Sequence, residues 1–479
     1  MHFEAFLKKA EEAAGLIKRT VEDDGFVHVV SHLDADGLAA AGVIGTALAR
    51  LGATFRVRIE RWLDERVLRS IVADKPGLIV FCDFGSGDLP LLNSCLSGRW
   101  AVVLDHHQPI GEADASIVHV SPHVFGVDGS RDLSAAGVAY FVARALDKIN
   151  VDLACVAVVG ALGDLQDKYE GRRLGGPNVV AVDDAVGAGF LKLETDLLFF
   201  GRETRPIHQA LARTTTPFIP GISGEEDKSL AFLVGLGISP KCDDRWRALR
   251  DLSDDEKKRL FNALVDFLMS RGVTSDLALS VRGTVYTLVR EEPWTSLRDA
   301  REFSVLLNAT GRMDKAGLGV AVCMGDRGSV LEEANAVLDE YRRTIMKYLS
   351  WLLEPDSGRI EELENIYVAR GQGVIDDKII GTISSILSMN LEKPEKPIIA
   401  YSMVDGESLV KVSARGVDSA VKKGLNLGEI LRVAAEGFSG KGGGHNIAAG
   451  AQVSVGSLDS FLRLVDELVG RQLGVRGVV

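Results

Sequence analysis

Four short segments place carboxylates and imidazoles beside apolar runs: HLDADG (His32, Asp34, Asp36), FCDFG (Asp83), VVLDHHQP (Asp105, His106, His107) and GALGDLQD (Asp164, Asp167). Oxygen and imidazole donors gathered in one place bind divalent ions, and two such ions suit in-line attack at phosphorus. They would activate a water and offset charge on the phosphate oxygens, so the expected bond is a phosphodiester or a pyrophosphate. The mixed His and Asp donors suit Mn²⁺ best, with Mg²⁺ as a substitute.

The elements that must position these groups are read from hydrophobic patterning. VHVV precedes Ser31, GLIVFC precedes Asp83, AVVL precedes Asp105 and CVAVVGAL precedes Gly163. All four runs read as buried parallel strands, which would collect the donors along the carboxyl edge of one sheet. Between them lie helical patterns, LAAAGVIGTALARLG and LSAAGVAYFVARALDKI, the second capped by Asp132 or Ser134. An amphipathic helix over residues 5–20 leads the chain. Alternation of this kind predicts strand–helix–strand units and an α/β first domain.

Within the donor set, Asp34 and Asp36 flank Ala35 and would point to the same side of an extended backbone or tight turn, with His32 in phase. Read alone, each short acidic motif is a turn or a helix cap; four in order on successive strand ends point to a metal site. The neighbours His106 and His107 divide the work, one binding metal while the other faces substrate, with Asp105 orienting an imidazole.

A chain of 479 residues exceeds one hydrophobic core and implies two or three domains. With 46% hydrophobic and 25% charged residues it is a globular, cytoplasmic protein, with neither a membrane span nor a secretory signal at its start. The net charge of −12 excludes a protein that coats nucleic acid non-specifically, but not a nuclease, because bound cations offset clustered carboxylates. Five scattered cysteines without CxxC spacing are expected to be buried, reduced thiols. Aromatic content is 6%, and no interleaved basic and aromatic strip for stacking bases is evident in the sequence.

From Phe200 to Trp294 the sequence is charged and helix-rich, and Ser253 with Asp254, Asp255 and Glu256 marks a helix start. The return segment REFSVLLNATGRM carries Asn308 and Arg312, read either as a helix-end network or as a reach toward substrate phosphate. A long helix follows over about residues 329–353. Beyond Pro355 the strands IYVARG, KPIIAYSMV and ESLVKVSARG form a second α/β unit that ends in GKGGGHNIAAG. Its glycines, among them Gly443 and Gly444, could present amides to an anion, with Lys441 and His445 as further donors, or form a flexible turn. Ser413 and Arg415 could bind a second phosphate.

The ordered set HLDADG, CDFG, LDHHQP and GDLQD resembles the motifs of the DHH phosphoesterase superfamily, and SAR with GGGHNIAAG resembles its C-terminal substrate-binding domain. LSAAGVAYF and NATGR resemble the RecJ branch, in its archaeal, GINS-associated form. The resemblance covers nearly the whole chain. It implies a catalytic domain over residues 1–200, a helical insertion over 201–295, a return segment and connecting helix over 296–354, and a smaller α/β substrate-binding domain over 355–479.

The resemblance further implies that His32, Asp34, Asp36, Asp83, His106 and Asp164 hold two Mn²⁺ ions, with Asp83 as the bridge. His107 would contact the scissile phosphate and Asp105 would support the imidazoles. Ser413, Arg415, Gly443, Gly444 and His445 would hold the nucleic-acid end or adjacent phosphates, and on the second reading of NATGR, Asn308 and Arg312 are further substrate contacts. The implied activity is exonucleolytic hydrolysis of single-stranded DNA, from the five-prime end, and of RNA, beside the GINS complex in replication or repair. The alternatives are a non-catalytic replisome scaffold, which loss of metal ligands would favour, and a phosphodiesterase for short oligonucleotides or cyclic dinucleotides.

Overall fold

The computed structural model describes residues 2–474 except 215, 216, 218, 355, 389, 390, 392, 394, 405 and 407. Pro355, where the last predicted unit starts, therefore lies outside the described residues. The chain forms two compact units, one of residues 1–214 and 219–338 and a second from Asp339 onward.

The first unit opens with α1 (His2–Glu22), β1 (Val27–His32), α2 (Ala35–Arg50), β2 (Phe55–Glu60), α3 (Glu65–Ala73), β3 (Leu78–Cys82), α4 (Leu89–Leu96), β4 (Ala101–Leu104) and β5 (Ile117–Val120). The five strands form one parallel sheet in the order β2-β1-β3-β4-β5. β3 and β4 are buried throughout and β1 up to His32, as the continuous apolar runs require. Leu68, Ile71, Leu92 and Leu96 of α3 and α4 pack on Val30, Ile79, Phe81 and Val103.

Next come α5 (Ala135–Leu146), α6 (Ala154–Gly163), α7 (Asn178–Gly187) and β6 (Leu191–Leu197). Ser134, not Asp132, caps α5, accepting from the Gly137 amide at 3.2 Å. The run before Gly163 corrects the sequence expectation, because it is the helix α6 and not a fourth strand. Ten residues of Ala, Cys, Gly, Val and Leu exceed ordinary strand length, and burial of eight of them removes the period that would have marked a helix.

The insertion contains α8 (Ile207–Ala212), α9 (Glu226–Gly235), the short ladder of β7 (Lys241–Cys242) and β8 (Arg245–Trp246), α10 (Asp254–Ser270) and α11 (Ser275–Leu279). Ser253 and Glu256 form the expected capping box of α10. The region is not wholly helical: β9 (Arg282–Leu288) returns antiparallel to β6, so both ends of the insertion lie on one ladder. It has its own core, including Leu211, Leu233, Leu260, Leu264 and Leu268. After it follow α12 (Ala300–Arg312), α13 (Ala316–Cys323) and α14 (Ser329–Leu352).

Buried charges tie α12 to the insertion. Glu302 accepts from the Glu203 amide (3.1 Å) and the Thr204 hydroxyl (2.9 Å), while Arg250 reaches Glu203 (2.9 Å) and Lys257 reaches Asp196 (2.6 Å). Burial, then the Asp299 charge, pushes the Glu302 carboxyl from 4.5 up to about 7. Between those values the folded state holds the extra proton, so this group makes stability fall as pH rises from 4.5 to 7. The loss is on the order of 3 kcal/mol. Glu302→Gln should flatten the difference between urea midpoints at pH 5 and pH 8; an undiminished difference in the variant would assign it to other groups.

The second unit contains β10 (Ile360–Glu362), β11 (Tyr367–Arg370), α15 (Ile380–Ser388), β12 (Ile398–Met403), β13 (Leu409–Arg415), α16 (Asp418–Lys422), α17 (Leu427–Glu436), β14 (Lys441–Gly444), β15 (Ala448–Ser454) and α18 (Leu458–Gln472). Its sheet runs β10-β11-β12-β13-β15-β14 and is antiparallel except between β11 and β12. The glycine stretch is thus an edge strand, not a flexible turn. Only glycine fits Gly442, where a Cβ would lie 2.3 Å from the Leu431 carbonyl of α17. Cys82, Cys155 and Cys323 are buried as expected, whereas Cys242 is exposed and Cys95 half-buried. Among the described residues no helix is long and apolar enough to cross a membrane.

Candidate metal centre

The carboxyl edge of the parallel sheet delivers His32 from the end of β1, Asp83 just after β3, and Asp105, His106 and His107 after β4. Asp36 and Asp164 come instead from helices, the first turn of α2 and the C-terminal end of α6. Asp34 and Asp36 do not share an extended backbone. Asp34 is the N-cap of α2, with Oδ1 accepting from the Gly37 amide (3.0 Å) and Oδ2 lying 3.1 Å from His32 Nδ1.

Asp83 stands between two groups of donors. One of its oxygens is 3.4 Å from His32 Nδ1 and the other 3.3 Å from His106 Nε2, which also lies 3.8 Å from Asp36. Its backbone takes the left-handed conformation (φ +64°), which Asp tolerates better than most residues. The sets His32, Asp34, Asp83 and Asp36, His106, Asp164 each bring donor atoms within 4.8 Å of one another. Both Asp83 oxygens and His32 Nδ1 are buried without a hydrogen-bond partner among the described residues. Orphaned acceptors inside a carboxylate cluster are what divalent ions would satisfy, so the residues fit the inferred cofactor.

The electrostatics agree. Burial, then the Asp83 charge, pushes Asp36 well above the ordinary carboxylate range, and burial also raises Asp164. Burial opposes a charge on His32, yet Asp34 and Asp83 outweigh it and raise the imidazole to about 10. The cluster attracts positive charge, proton or metal.

Asp105 is an orienter. Its Oδ1 accepts from the amides of His106 (2.8 Å) and His107 (3.2 Å) and from His107 Nδ1 (2.8 Å), and its Oδ2 accepts from the Ser86 amide (2.8 Å). Burial works against its charge, and the imidazoles and these donors hold it well below the usual range. The side chain of His107 is 47% exposed, so its Nε2 can meet a ligand.

Several positioning groups were not legible in the sequence. The amides of Ala135 (2.7 Å) and Ala136 (3.0 Å), at the start of α5, donate to the two oxygens of Asp36. The Ser134 cap was a readable sign of such a helix start, whose amides favour an anion. His106 Nδ1 donates to the Gly129 carbonyl (2.8 Å), which leaves Nε2 to face Asp83. Gln166 donates to that same carbonyl (2.8 Å) and to Asp164 (2.8 Å), and is itself held by Asn178 (2.7 Å). Gln166→Leu should therefore weaken Mn²⁺ binding about 10- to 100-fold in calorimetry. Wild-type affinity would make Gln166 structural only. Asp167 stays outside the donor set, paired with Arg301 (2.7 Å) and Arg172 (3.0 Å).

Asn308 lies on α12 with its side-chain oxygen 3.2 Å from the Ala35 amide, which places it in a helix-end network at the metal loop. Arg312 ends the same helix. In the second unit Arg415 donates to Ser413 (3.2 Å) and Ser385 (2.8 Å), and Ser413 meets Ser384 (2.9 Å). Ser413 and Gly443 both oppose Gly450, and Arg415 and Gly444 oppose Ala448 and Ala449. The predicted residues of this unit thus converge on one end of β15, with His445 directly after β14.

A Rossmann-like sheet with a carboxylate and imidazole cluster on its carboxyl edge, followed by a second unit with a mixed sheet, defines a DHH-type phosphoesterase fold. Residues 26–161 match the DHH family N-terminal domain, residues 199–278 the DHH-CID domain and residues 364–471 the DHHA1 domain. The chain belongs to the DHH/RecJ-like superfamily.

It is 32% identical over 477 residues to an uncharacterized protein of Methanocaldococcus jannaschii, covering 98% of this chain and 99% of that one. It is 22% identical over 484 residues to the single-stranded-DNA-specific exonuclease RecJ of Dickeya dadantii, covering 96% and 69%. The fold resembles RecJ in complex with Mn²⁺ from Thermus thermophilus (TM-score 0.59, 19% identity, 97% of this chain) and CDC45 from Entamoeba histolytica (TM-score 0.63, 11% identity, 97% and 99%). The chain spans 55% of the Thermus RecJ chain.

Proposed function

We propose that the protein is a metal-dependent exonuclease that hydrolyses phosphodiester bonds of single-stranded DNA, from the five-prime end, and of RNA. The observation that carries this reading is Asp83, buried between two donor sets with neither oxygen hydrogen-bonded among the described residues. His32, Asp34 and Asp83 would hold one divalent ion, and Asp36, Asp83, His106 and Asp164 a second, Mn²⁺ in preference to Mg²⁺. Ions bound there would activate water and offset charge on the phosphate.

The chain's own groups do the rest. Asp105 fixes His107 Nδ1–H, so that Nε2 is presented to the scissile phosphate, and the Asp105 charge overcomes burial to raise the imidazole above its usual value. Ser413, Arg415, Gly443, Gly444 and His445 supply donors for a nucleic-acid end, and Arg312 for a phosphate. Association with GINS, and work in replication or repair, belong to the same reading through the RecJ resemblance.

The test is digestion of single-stranded DNA and RNA, labelled and blocked at either end in turn, with Mn²⁺, Mg²⁺ or EDTA. Stepwise metal-dependent shortening from one end is expected. Cleavage of cyclic or very short substrates alone would replace the exonuclease with a small-substrate phosphodiesterase. No cleavage of any substrate would leave a scaffold, and a GINS pull-down would then decide that role.

A further inference from the structure

We propose that the hairpin Lys168–Arg173, together with Arg131 and Leu165, binds the sugar–phosphate backbone of single-stranded nucleic acid next to the bond being cut. This rests on the nuclease reading above and extends it to a contact surface in the first unit.

The hairpin is built onto the metal centre. Four residues after Asp164 the chain turns back, with paired backbone bonds between Tyr169 and Arg173. Lys168 Nζ donates to the Ser130 carbonyl (2.9 Å), and the adjoining Gly129 carbonyl receives His106 Nδ1 (2.8 Å). Adjacent residues lie about 3.8 Å apart, so the ammonium lies within roughly 10 Å of the His106 ring.

Anchors below the hairpin make it rigid. Asp167 holds Arg172 (3.0 Å) and Arg301 (2.7 Å), the Gly171 carbonyl accepts from the Thr284 amide (2.7 Å), and Tyr169 donates to Asp132 (2.6 Å). These contacts engage two of the nearby carboxylates with the protein itself. Above them Lys168 and Arg173 are exposed with Glu170 exposed between them, and Arg131, 4.0 Å from Asp132, lies over the Tyr169 ring at 4.2 Å, which leaves the hairpin and Arg131 with more positive than negative side chains.

Leu165 adds an apolar contact. It is 65% exposed although it sits between the Asp164 donor and Gln166, and it adopts φ +56°. A leucine held in the left-handed conformation directly beside a metal donor is a strained position of the kind that gathers at binding sites. Cations for phosphates beside an exposed aliphatic side chain for sugars and bases suit a single strand, and the Tyr169 ring serves to hold Arg131 in place. On a chain of net charge −12, such a rigid cationic strip beside the carboxylate cluster would steer the backbone into register.

The test is the salt dependence of binding of a fluorescein-labelled oligodeoxythymidylate by the full chain in EDTA, followed by anisotropy. For Lys168→Ala/Arg173→Ala, the slope of log K against log salt should shrink by about 1.4, two contacts at roughly 0.7 each. Lys18→Ala/Arg19→Ala on α1 removes the same charge elsewhere and should keep the wild-type slope. Mn²⁺ calorimetry and thermal melts confirm that each variant is folded with its centre intact. A wild-type slope in the hairpin variant, or an equal loss in the α1 variant, overturns the hairpin while leaving the nuclease reading standing. If the wild-type chain neither binds nor degrades the oligonucleotide, the nuclease reading falls and the hairpin with it.

Discussion

Asp83→Asn is expected to reduce Mn²⁺-dependent hydrolysis by on the order of 10⁴-fold or more, because a carboxylate that reaches both donor sets is lost. The fold should survive. In the metal-free protein Asp83 is a buried charge that pushes Asp36 and Asp164 upward, so neutralising it relieves repulsion, and the melting temperature should hold or rise. Mn²⁺ at a hundred times its dissociation constant should stabilise the wild type by about 2.7 kcal/mol per ion. The variant should gain clearly less. Two-ion stoichiometry and full activity in Asp83→Asn would remove the shared-carboxylate arrangement.

Gly311→Ala is expected to damage the centre from a distance. A Cβ at Gly311 would lie 1.7 Å from the Leu33 carbonyl oxygen, and Leu33 stands between two donors, His32 and Asp34. Backbone cannot yield as a flexible side chain would, so the loop must move or α12 must lift. The cost should be on the order of 3 kcal/mol in urea denaturation, with Mn²⁺ affinity falling in parallel. Gly317→Ala on α13 meets open space and serves as the contrast, gaining up to about 1 kcal/mol with unchanged metal binding. Wild-type stability and affinity in Gly311→Ala would show that α12 does not position the metal loop.

The sheet and most of the donor set were legible because parallel strands buried on both faces read as plain apolar runs, and a charged residue at the end of such a run is conspicuous. Asp83 and His106 are of this kind. α6 was not legible, since a helix buried on most sides loses the periodicity that identifies it, and the run CVAVVGAL within it read as a strand. The role of Asn308 stayed open between two readings because only the fold brings α12 beside Ala35. The β6–β9 ladder closes across the whole insertion, a pairing that no local pattern announces. Nor could the sequence gather a basic and aromatic strip, because Arg131 and Tyr169 meet only through the turn after Asp164.

The bond from Ala35 to Asn308 joins residues 273 positions apart. During synthesis on the ribosome, His32, Asp34, Asp83 and His106 emerge long before the helix that braces their loop. A nascent chain halted within the insertion would hold every one of the proposed metal donors, yet lack α12. The loop that carries His32 and Asp34 is therefore braced only once residue 312 has cleared the exit tunnel.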